Sequence, residues 1–308
     1  MPRAISPSRT RPAIVGLLSL ATLACGVTAQ ETWSVYVSAD MEGLGGVGVA
    51  AMTRTGGKDY EVGRRMMTRE LEAVVAGIRA AARERGIPSV RIVINDSHGG
   101  HDNALIEGLP AGVEYVQGSL KPLGMVAELD EGFDAAMFIG YHARAGTAGF
   151  LAHTGSGLVR DLRINGTPSG EGEMNAAVAG TLGVPVVLVA GDEAYVAQAR
   201  ETYAGAARAV VTKTAVTADA ARLRPVEVVH AELEEAAKTA MLDLAGAAPW
   251  RVDAPYVVEM TVDRTTHVDV ALGIPGVERV GPLTVRFEAP DMRRAYALIR
   301  ILYRFLSI

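Results

Sequence analysis

The stretch that decides the fold is Ser34-Val35-Tyr36-Val37-Ser38-Ala39, which leads directly into Asp40-Met41-Glu42-Gly43. Two later stretches have the same form. Val90 to Ile94 leads into Asn95-Asp96-Ser97-His98, and Ala135 to Ile139 leads into Gly140-Tyr141-His142. Short β-rich runs punctuated by glycine are typical of buried strands in an α/β sheet. Ligands of such sheets gather beyond the carboxyl ends of the strands, so we expect these acidic and imidazole side chains to meet there.

The rest of the chain predicts an α/β fold with a mainly parallel central sheet and flanking helices. Apolar residues recur at three- and four-residue intervals over 60–85, and Gly86-Ile87-Pro88 ends that helix before the strand at 90–95. Further elements are predicted as strands at 112–117, 135–139 and 184–190, a hairpin arm at 161–165 and a helix at 173–182.

Beyond residue 194 the pattern changes to a smaller C-terminal α+β layer. It predicts two or three helices, strands at 256–262 and 283–288, and a closing helix at 292–306. We therefore divide the chain after its leader into a metal-binding α/β catalytic domain, residues 30–195, and a C-terminal α+β domain, residues 196–308.

The N-terminus predicts a signal peptide over residues 1–29. Three arginines precede an apolar run over 13–27, and Val27-Thr28-Ala29 offers small residues for cleavage. The run has about 15 residues, too few to cross a bilayer comfortably. Export to the periplasm or to the medium follows as an expectation. Lipoprotein processing at Cys25, the only cysteine, is a less favoured alternative because Thr22 stands where a large aliphatic residue is expected.

Charge and composition exclude several partners. Removal of residues 1–29 takes away three arginines and no acids, which changes the formal net charge from −5 to −8. An acidic chain without a basic stripe is a poor nucleic-acid binder. No later stretch is apolar enough to predict a membrane span in the mature chain.

Asp40 and Glu42 are the strongest metal-ligand candidates. They are separated by one residue, so at the end of a strand both point to the same side. Adjacent carboxylates repel each other unless a cation lies between them. A turn aspartate beside a solvated glutamate is the alternative interpretation.

His98, His142 and Glu171 complete the predicted set of metal ligands. His101 competes with His98, and Glu173 competes with Glu171. Asp96 is expected either to orient His98 or to cap the turn, whereas His230 and His267 are expected to be structural or surface residues. His153 could face the same cavity as His142 across the glycine-containing loop between them.

The chosen five residues give three carboxylates and two imidazoles. This set suits Zn²⁺, with Mn²⁺ or Co²⁺ as alternatives. Five ligands are too many for one catalytic zinc with an open position, but they suit two metals bridged by one carboxylate.

The motifs also resemble those of a known family, the DppA-type zinc D-aminopeptidases. The resemblance rests on Ser38–Gly43, Asn95–His98, Gly140–Ala145 and Gly170-Glu171 with Asn175, in this order, and it extends from about residue 33 to the C-terminus. It implies two Zn²⁺ per subunit, with Asp40 as the bridge, Glu42 and His98 at one ion, and His142 and Glu171 at the other. It makes His153 a catalytic residue outside the metal shell.

The family resemblance further implies a function and an assembly. Members form ring-shaped homodecamers and release N-terminal D-amino acids from short peptides such as D-Ala-D-Ala through a metal-activated water. The unusually glycine-rich loop, Gly43–Gly48, and the signal peptide are departures from the family pattern. Other dinuclear metallohydrolases (a phosphoesterase or an amidase) and a non-catalytic exported solute-binding protein remain the alternatives.

Overall fold

Strands and helices alternate along most of the chain. The computed structural model describes residues 1–2 and 32–305. The strands are β1 (Thr32–Ala39), β2 (Ser89–Asp96), β3 (Glu114–Val116), β4 (Ala135–Tyr141), β5 (Val159–Ile164), β6 (Thr167–Pro168), β7 (Val186–Asp192), β8 (Arg208–Thr217), β9 (Ala220–Leu223), β10 (Tyr256–Val262), β11 (Glu278–Gly281) and β12 (Thr284–Ala289). The α-helices are α1 (Tyr60–Arg85), α2 (Glu171–Thr181), α3 (Glu193–Thr202), α4 (Val226–Leu242), α5 (Thr265–Ala271) and α6 (Met292–Phe305).

The central sheet is mainly parallel, as predicted. Its seven strands follow the order β3-β2-β1-β4-β7-β8-β9, and only β9 runs antiparallel to its neighbour. The chain adds β2 and β3 on one side of β1, and β4, β7 and β8 on the other. The strand order therefore reverses between β1 and β4, which is where open α/β sheets form a ligand crevice at the carboxyl ends of their strands.

Both faces of the central sheet are covered, because side chains alternate along each strand. Val35 and Val37 of β1 join a core that includes Val74 of α1 and Leu233 of α4. Tyr36 points the other way, into a core shared with α2, α3, α6 and a second sheet. Each fully buried aliphatic side chain contributes about 1.5–3 kcal/mol. The apolar strand pattern read from the sequence thus reflects burial on two sides.

The helix predicted over 60–85 is confirmed as α1. Gly86 ends it in the left-handed region, with φ of 69°. The Ile87 amide donates a hydrogen bond to the Ala82 carbonyl at 2.9 Å, which is the geometry of a Schellman cap. The short run from Gly86 to Ser89 then directs the chain into β2.

The second sheet is antiparallel, in the order β11-β12-β10-β5-β6. The predicted hairpin arm and the predicted strands near 256 and 283 belong to it. No strand was predicted between residues 194 and 255, and this was wrong. Arg208–Thr217 forms β8, which pairs with β7 and buries several of its side chains. Without β8, β7 would be an edge strand of the central sheet.

The boundary predicted at 195/196 does not separate the two sheets. Strands β8 and β9 follow that boundary yet extend the central sheet, whereas β5 and β6 precede it yet pair with the second sheet. By its contacts the described chain from residue 32 onward forms one compact unit. The predicted signal peptide, apart from its first two residues, lies outside the described residues. Within the described residues, no helix has the length and apolar character needed to cross a membrane.

Candidate metal centre

The predicted ligands meet at the carboxyl ends of β1, β2 and β4, around the point where the strand order reverses. Asp40 lies between the histidines. Its Oδ1 is 3.1 Å from His98 Nδ1, and its Oδ2 is 3.4 Å from His142 Nε2. Glu42 Oε2 lies 2.9 Å from His98 Nδ1, and Glu171 Oε2 lies 3.3 Å from His142 Nε2. One carboxylate therefore presents a separate oxygen to each histidine.

The side chains form two compact groups of potential ligands. Asp40, Glu42 and His98 form one group, and His142, His153 and Glu171 form the other. Within each group the nitrogen and oxygen ligand atoms all lie within 4.8 Å of one another. All six residues are buried or half-buried.

Backbone carbonyls set the orientation of all three imidazoles. His98 Nε2 is 2.7 Å from the Thr53 carbonyl oxygen, His142 Nδ1 is 3.0 Å from that of Ala143, and His153 Nδ1 is 2.9 Å from that of Leu151. A carbonyl only accepts, so each of these nitrogens carries the proton. In its neutral form each histidine then directs the lone pair of its other ring nitrogen into the acidic cluster. Hydrogen bonds of this kind hold metal-ligating histidines in the required tautomer.

The residues fit a metal cation because several of their polar atoms have no other partner. Asp40 Oδ2, Glu42 Oε2 and His142 Nε2 are buried and have no hydrogen-bond partner among residues 32–305. Lone pairs of imidazoles and carboxylates facing one another repel, and burial without a partner costs further free energy. A cation between them removes both penalties. Nitrogen and carboxylate donors together suit Zn²⁺.

The pKa shifts confirm that the cluster attracts positive charge. Burial, reinforced by the Glu42 carboxylate, raises the pKa of Asp40 to about 7. Burial would lower the pKa values of His98 and His142, but the facing carboxylates outweigh it and hold both well above their usual range. For Glu171 burial is likewise outweighed, here by His142, and the pKa falls to about 2. Protons and metal cations therefore compete for the same atoms.

The glycine-rich loop after Glu42 packs closely against β4. A Cβ on Gly43 would lie 1.8 Å from the Tyr141 carbonyl oxygen, so only glycine allows the loop to approach β4 this closely. The Gly45 amide donates to the buried Glu70 carboxylate. Lys213 of β8, also fully buried, donates from Nζ to the carbonyls of Glu42 and Val47. Hydrogen bonds with Glu70 and Lys213 hold the loop in place, which fixes the position of Glu42.

The competing candidates occupy different positions. His101 donates from Nδ1 to the Asp96 carbonyl at 2.8 Å and belongs to neither ligand group. Glu173 accepts a hydrogen bond from the Gly170 amide at 2.7 Å and so caps the start of α2. Asp96 accepts from the backbone amides of Asn103 and Ala104 and therefore holds the turn; the Thr53 carbonyl orients His98 instead.

Asn175 supports the site without entering it. Its Nδ2 donates to the Tyr141 hydroxyl at 2.8 Å, and its Oδ1 accepts from the Tyr296 hydroxyl at 2.8 Å. The Tyr141 hydroxyl also bonds Ser38 Oγ at 2.7 Å. This buried network joins β1, β4 and α2, which position the candidate ligands, to α6.

A small cavity of about 130 Å³ opens beside the ligands. Its lining includes Asp40, His98, His153 and Glu171, together with Arg300, Tyr303 and Arg304 of α6. His153 has the most exposed side chain of the three clustered histidines, at 30%, against 14% for His98 and 2% for His142. A substrate in this cavity would meet His153 and the acidic ligands together.

Comparison with known proteins agrees with this geometry. Residues 34–301 match the model of the D-aminopeptidase family, peptidase family M55. The chain belongs to the D-aminopeptidase family. It is 33% identical over 269 residues to the D-aminopeptidase of Bacillus subtilis (strain 168), which covers 87% of this chain and 96% of that protein. The family resemblance inferred from the ordered motifs is thereby confirmed.

A solved structure shares the fold of this D-aminopeptidase family member. It is the Zn-dependent D-aminopeptidase DppA from Bacillus subtilis, described as a self-compartmentalizing protease. The TM-score is 0.82 at 31% sequence identity, and the match covers 89% of this chain and 97% of that structure.

Three residues around the site were not predicted from the sequence. Lys213 and Glu70 support the Glu42 loop, and Arg300 lines the cavity. A signal for Lys213 was present, because a lysine directly after the β-rich run Ala209-Val210-Val211-Thr212 is unusual for a buried strand. Arg300 gave no such signal, since arginines on a terminal helix are ordinary.

Proposed function

We propose that this chain is a zinc-dependent D-aminopeptidase that binds two Zn²⁺ per subunit, with Mn²⁺ or Co²⁺ as possible substitutes. The main observation behind this proposal is that Asp40 directs one oxygen toward His98 and the other toward His142. Glu42 and His98 would hold one ion with Asp40, and His142 and Glu171 would hold the other. The zinc dependence of the B. subtilis relative supports the choice of metal.

The chemistry is hydrolysis of a peptide bond. Bound zinc would supply a Lewis acid that lowers the pKa of a water molecule and polarises the scissile carbonyl. The protein's own contribution is to hold the ligands in a fixed geometry. The Gly155 amide donates to Glu171 Oε1 at 2.6 Å and leaves Oε2 directed at His142. The position of Glu171 in the first turn of α2 also places its charge at the positive end of the helix.

His153 is proposed as the catalytic residue. Its ring stacks on His142 with centroids 4.2 Å apart, and its Nε2 lies 3.7 Å from Glu171 Oε1. It borders the cavity, so its unprotonated Nε2 can accept a proton from the attacking water or orient it. We expect His153→Ala to retain both zinc ions and to lose turnover by roughly 10²–10⁴-fold. Loss of one zinc equivalent in this variant would make His153 a ligand instead.

The proposed substrates are short peptides with an N-terminal D-amino acid, such as D-Ala-D-Ala. The D-aminopeptidase family and the small size of the cavity support this class. The test is zinc analysis of the purified protein, followed by assays on D-Ala-D-Ala and L-Ala-L-Ala. We expect bound zinc and preferential cleavage of the D,D-dipeptide. Bound zinc with hydrolysis of a phosphoester alone would identify a phosphoesterase, and absence of both zinc and hydrolysis would favour a solute-binding protein.

A homodecameric ring is proposed as the functional assembly. The self-compartmentalizing relative supports it, as do the exposed apolar side chains of Leu120, Ile301 and Phe305 around a groove next to the cavity. Light scattering on the purified protein should give a mass of about ten subunits, and a monomeric mass would contradict the proposal.

Export is proposed from the leader sequence. The protein should be found in the periplasm or medium, with an N-terminus that begins at Gln30. A mature chain that begins at Cys25 would indicate lipoprotein processing, and an intact N-terminus in the cytoplasm would rule out export.

A further inference from the structure

Arg300 places an uncompensated positive charge on the wall of the cavity. It lies on α6, is half-buried, and lines the same cavity as Asp40, His98 and Glu171. Within residues 32–305, its guanidinium forms no ion pair with a carboxylate. A positive charge that lines a cavity without a carboxylate partner attracts anions into it, which indicates an anionic ligand.

Backbone groups hold this guanidinium in place. Its Nη1 donates to the carbonyls of Lys121 and Pro122, the latter at 2.9 Å. A Cβ on Gly124 would lie 2.7 Å from Arg300 Cζ, so the glycine provides the space that the guanidinium occupies. Both of these hydrogen bonds use Nη1. A further hydrogen bond joins the guanidinium to the Tyr303 side chain. A guanidinium has five N–H donors, so two are left for the two oxygens of a carboxylate.

The cavity lining thus includes two chemically different sets of side chains. One set is the acidic candidate ligands with His153, and the other is the basic side chains of Arg300 and Arg304. A short unblocked peptide has the matching pattern, because a dipeptide carries its carboxylate only one residue beyond the scissile bond. A long peptide or a C-terminally blocked peptide lacks a carboxylate at that position.

We propose that Arg300 is a specificity-determining residue that binds the free C-terminal carboxylate of a very short peptide. This inference rests on the proposed peptidase function. It names the substrate class more closely: unblocked dipeptides are favoured over their C-terminal amides. Arg300 acts on substrate binding and takes no part in the proton transfers.

The test compares D-Ala-D-Ala with D-Ala-D-Ala amide on the zinc-loaded enzyme and on Arg300→Met. In the native enzyme kcat/KM should favour the free dipeptide. In Arg300→Met the ratio of the two kcat/KM values should fall by about 10- to 100-fold, the usual value of hydrogen bonds to a charged group. The loss should appear mainly in KM, and Arg300→Lys should restore part of it.

Arg294→Met is the matched control. Arg294 is on the same helix, but its side chain is exposed and pairs with Asp291 on the surface. We expect this variant to keep the native ratio. An unchanged ratio in Arg300→Met would overturn the proposal. So would a changed oligomer mass in that variant, because it would mean that Arg300 pairs with a second copy of the chain.

A binding measurement separates this proposal from the peptidase assignment. Calorimetry on the zinc-loaded protein should show that D-alanine, the expected product, binds more tightly than D-alaninamide. This preference should disappear in Arg300→Met whether or not any peptide is hydrolysed. Equal binding of both probes to the native protein would refute the carboxylate site, whereas absence of hydrolysis alone would refute only the peptidase assignment.

Discussion

Replacement of Lys213 by methionine should destabilise the protein from within its central sheet. Methionine is close to lysine in length but has neither the charge nor the N–H donors. Lys213 is fully buried and donates to the carbonyls of Glu42 and Val47, and its Nζ lies 4.7 Å from the centre of the Phe150 ring. Among the charged groups around Lys213, the buried Glu70 has the largest electrostatic effect on the pKa of Lys213.

The magnitude follows from what the substitution leaves behind. Two buried carbonyls lose their N–H donor, which costs about 1–3 kcal/mol each, and the buried Glu70 carboxylate loses the favourable electrostatic effect of a nearby ammonium group. These costs overlap. Burial also raises the pKa of Glu70 to about 8, so much of that carboxyl is already protonated near neutral pH and escapes the full penalty. We therefore expect a loss of about 3 kcal/mol in the free energy of unfolding.

The loss should grow as the pH rises. Burial lowers the pKa of Lys213 to about 7, so in the native protein its contribution to stability is present above its unfolded pKa and decreases as the pH falls through about 7. The methionine variant has no side chain to protonate at this position, so its stability does not show that decrease at low pH. Glu70 has a raised pKa, so its contribution is lost as the pH rises through about 8, and it is lost more completely without Lys213. Both effects have the same sign.

Urea unfolding at a fixed zinc concentration measures the effect. Glu70→Gln and the double variant complete a thermodynamic cycle, in which the double variant should lose less than the sum of the single losses. Lys238→Met is the control, because Lys238 pairs with Glu84 on the surface and its replacement should change stability little. A loss below about 1 kcal/mol in Lys213→Met, or strict additivity in the cycle, would refute the argument.

Three further predictions concern the metal centre and its loop. His142→Ala should lose about one zinc equivalent by elemental analysis, since one ion loses a central ligand; retention of both would remove His142 from the shell. Zinc affinity, measured by competition with a chelator, should be weaker at about pH 6 than at about pH 8, because His98 and His142 have raised pKa values and must release protons; a flat profile would contradict this. Gly43→Ala should lose about 1–3 kcal/mol or more in urea, because its Cβ would lie 1.8 Å from the Tyr141 carbonyl oxygen. Gly157→Ala is the control and should lose little stability, because no described atom lies within 4 Å of the position of its Cβ. Equal losses of stability in the two variants would refute the packing argument.

Much of the site could be predicted because the sequence patterns that indicate it lie within short stretches of the chain. The residues after β1, β2 and β4 follow apolar runs that are typical of buried strands, and strand ends meet at one edge of a parallel sheet. Asp40 and Glu42 are therefore recognisable as candidate ligands from the sequence alone. The preference for Glu171 over Glu173 agrees with the geometry, since Glu173 accepts from the Gly170 amide and caps the helix.

What could not be predicted depends on contacts between distant parts of the chain. Strand β8 pairs with β7 and brings Lys213 beneath a loop more than 160 residues earlier in the sequence. The Thr53 carbonyl that orients His98 leaves no trace in residue type, because every residue has a carbonyl. Arg300 reaches the cavity because α6 packs against α2 and the second sheet. Tertiary packing decides such positions, and short-range patterns do not encode it.

The most direct test of the metal centre is anomalous diffraction at the zinc absorption edge on crystals of the zinc-loaded protein. Two peaks should appear about 3.5–4 Å apart, with the Asp40 carboxylate between them. One should lie about 2.0–2.1 Å from His98 Nδ1 and the other at the same distance from His142 Nε2. A single peak, or none at these residues, would contradict the proposed dinuclear centre.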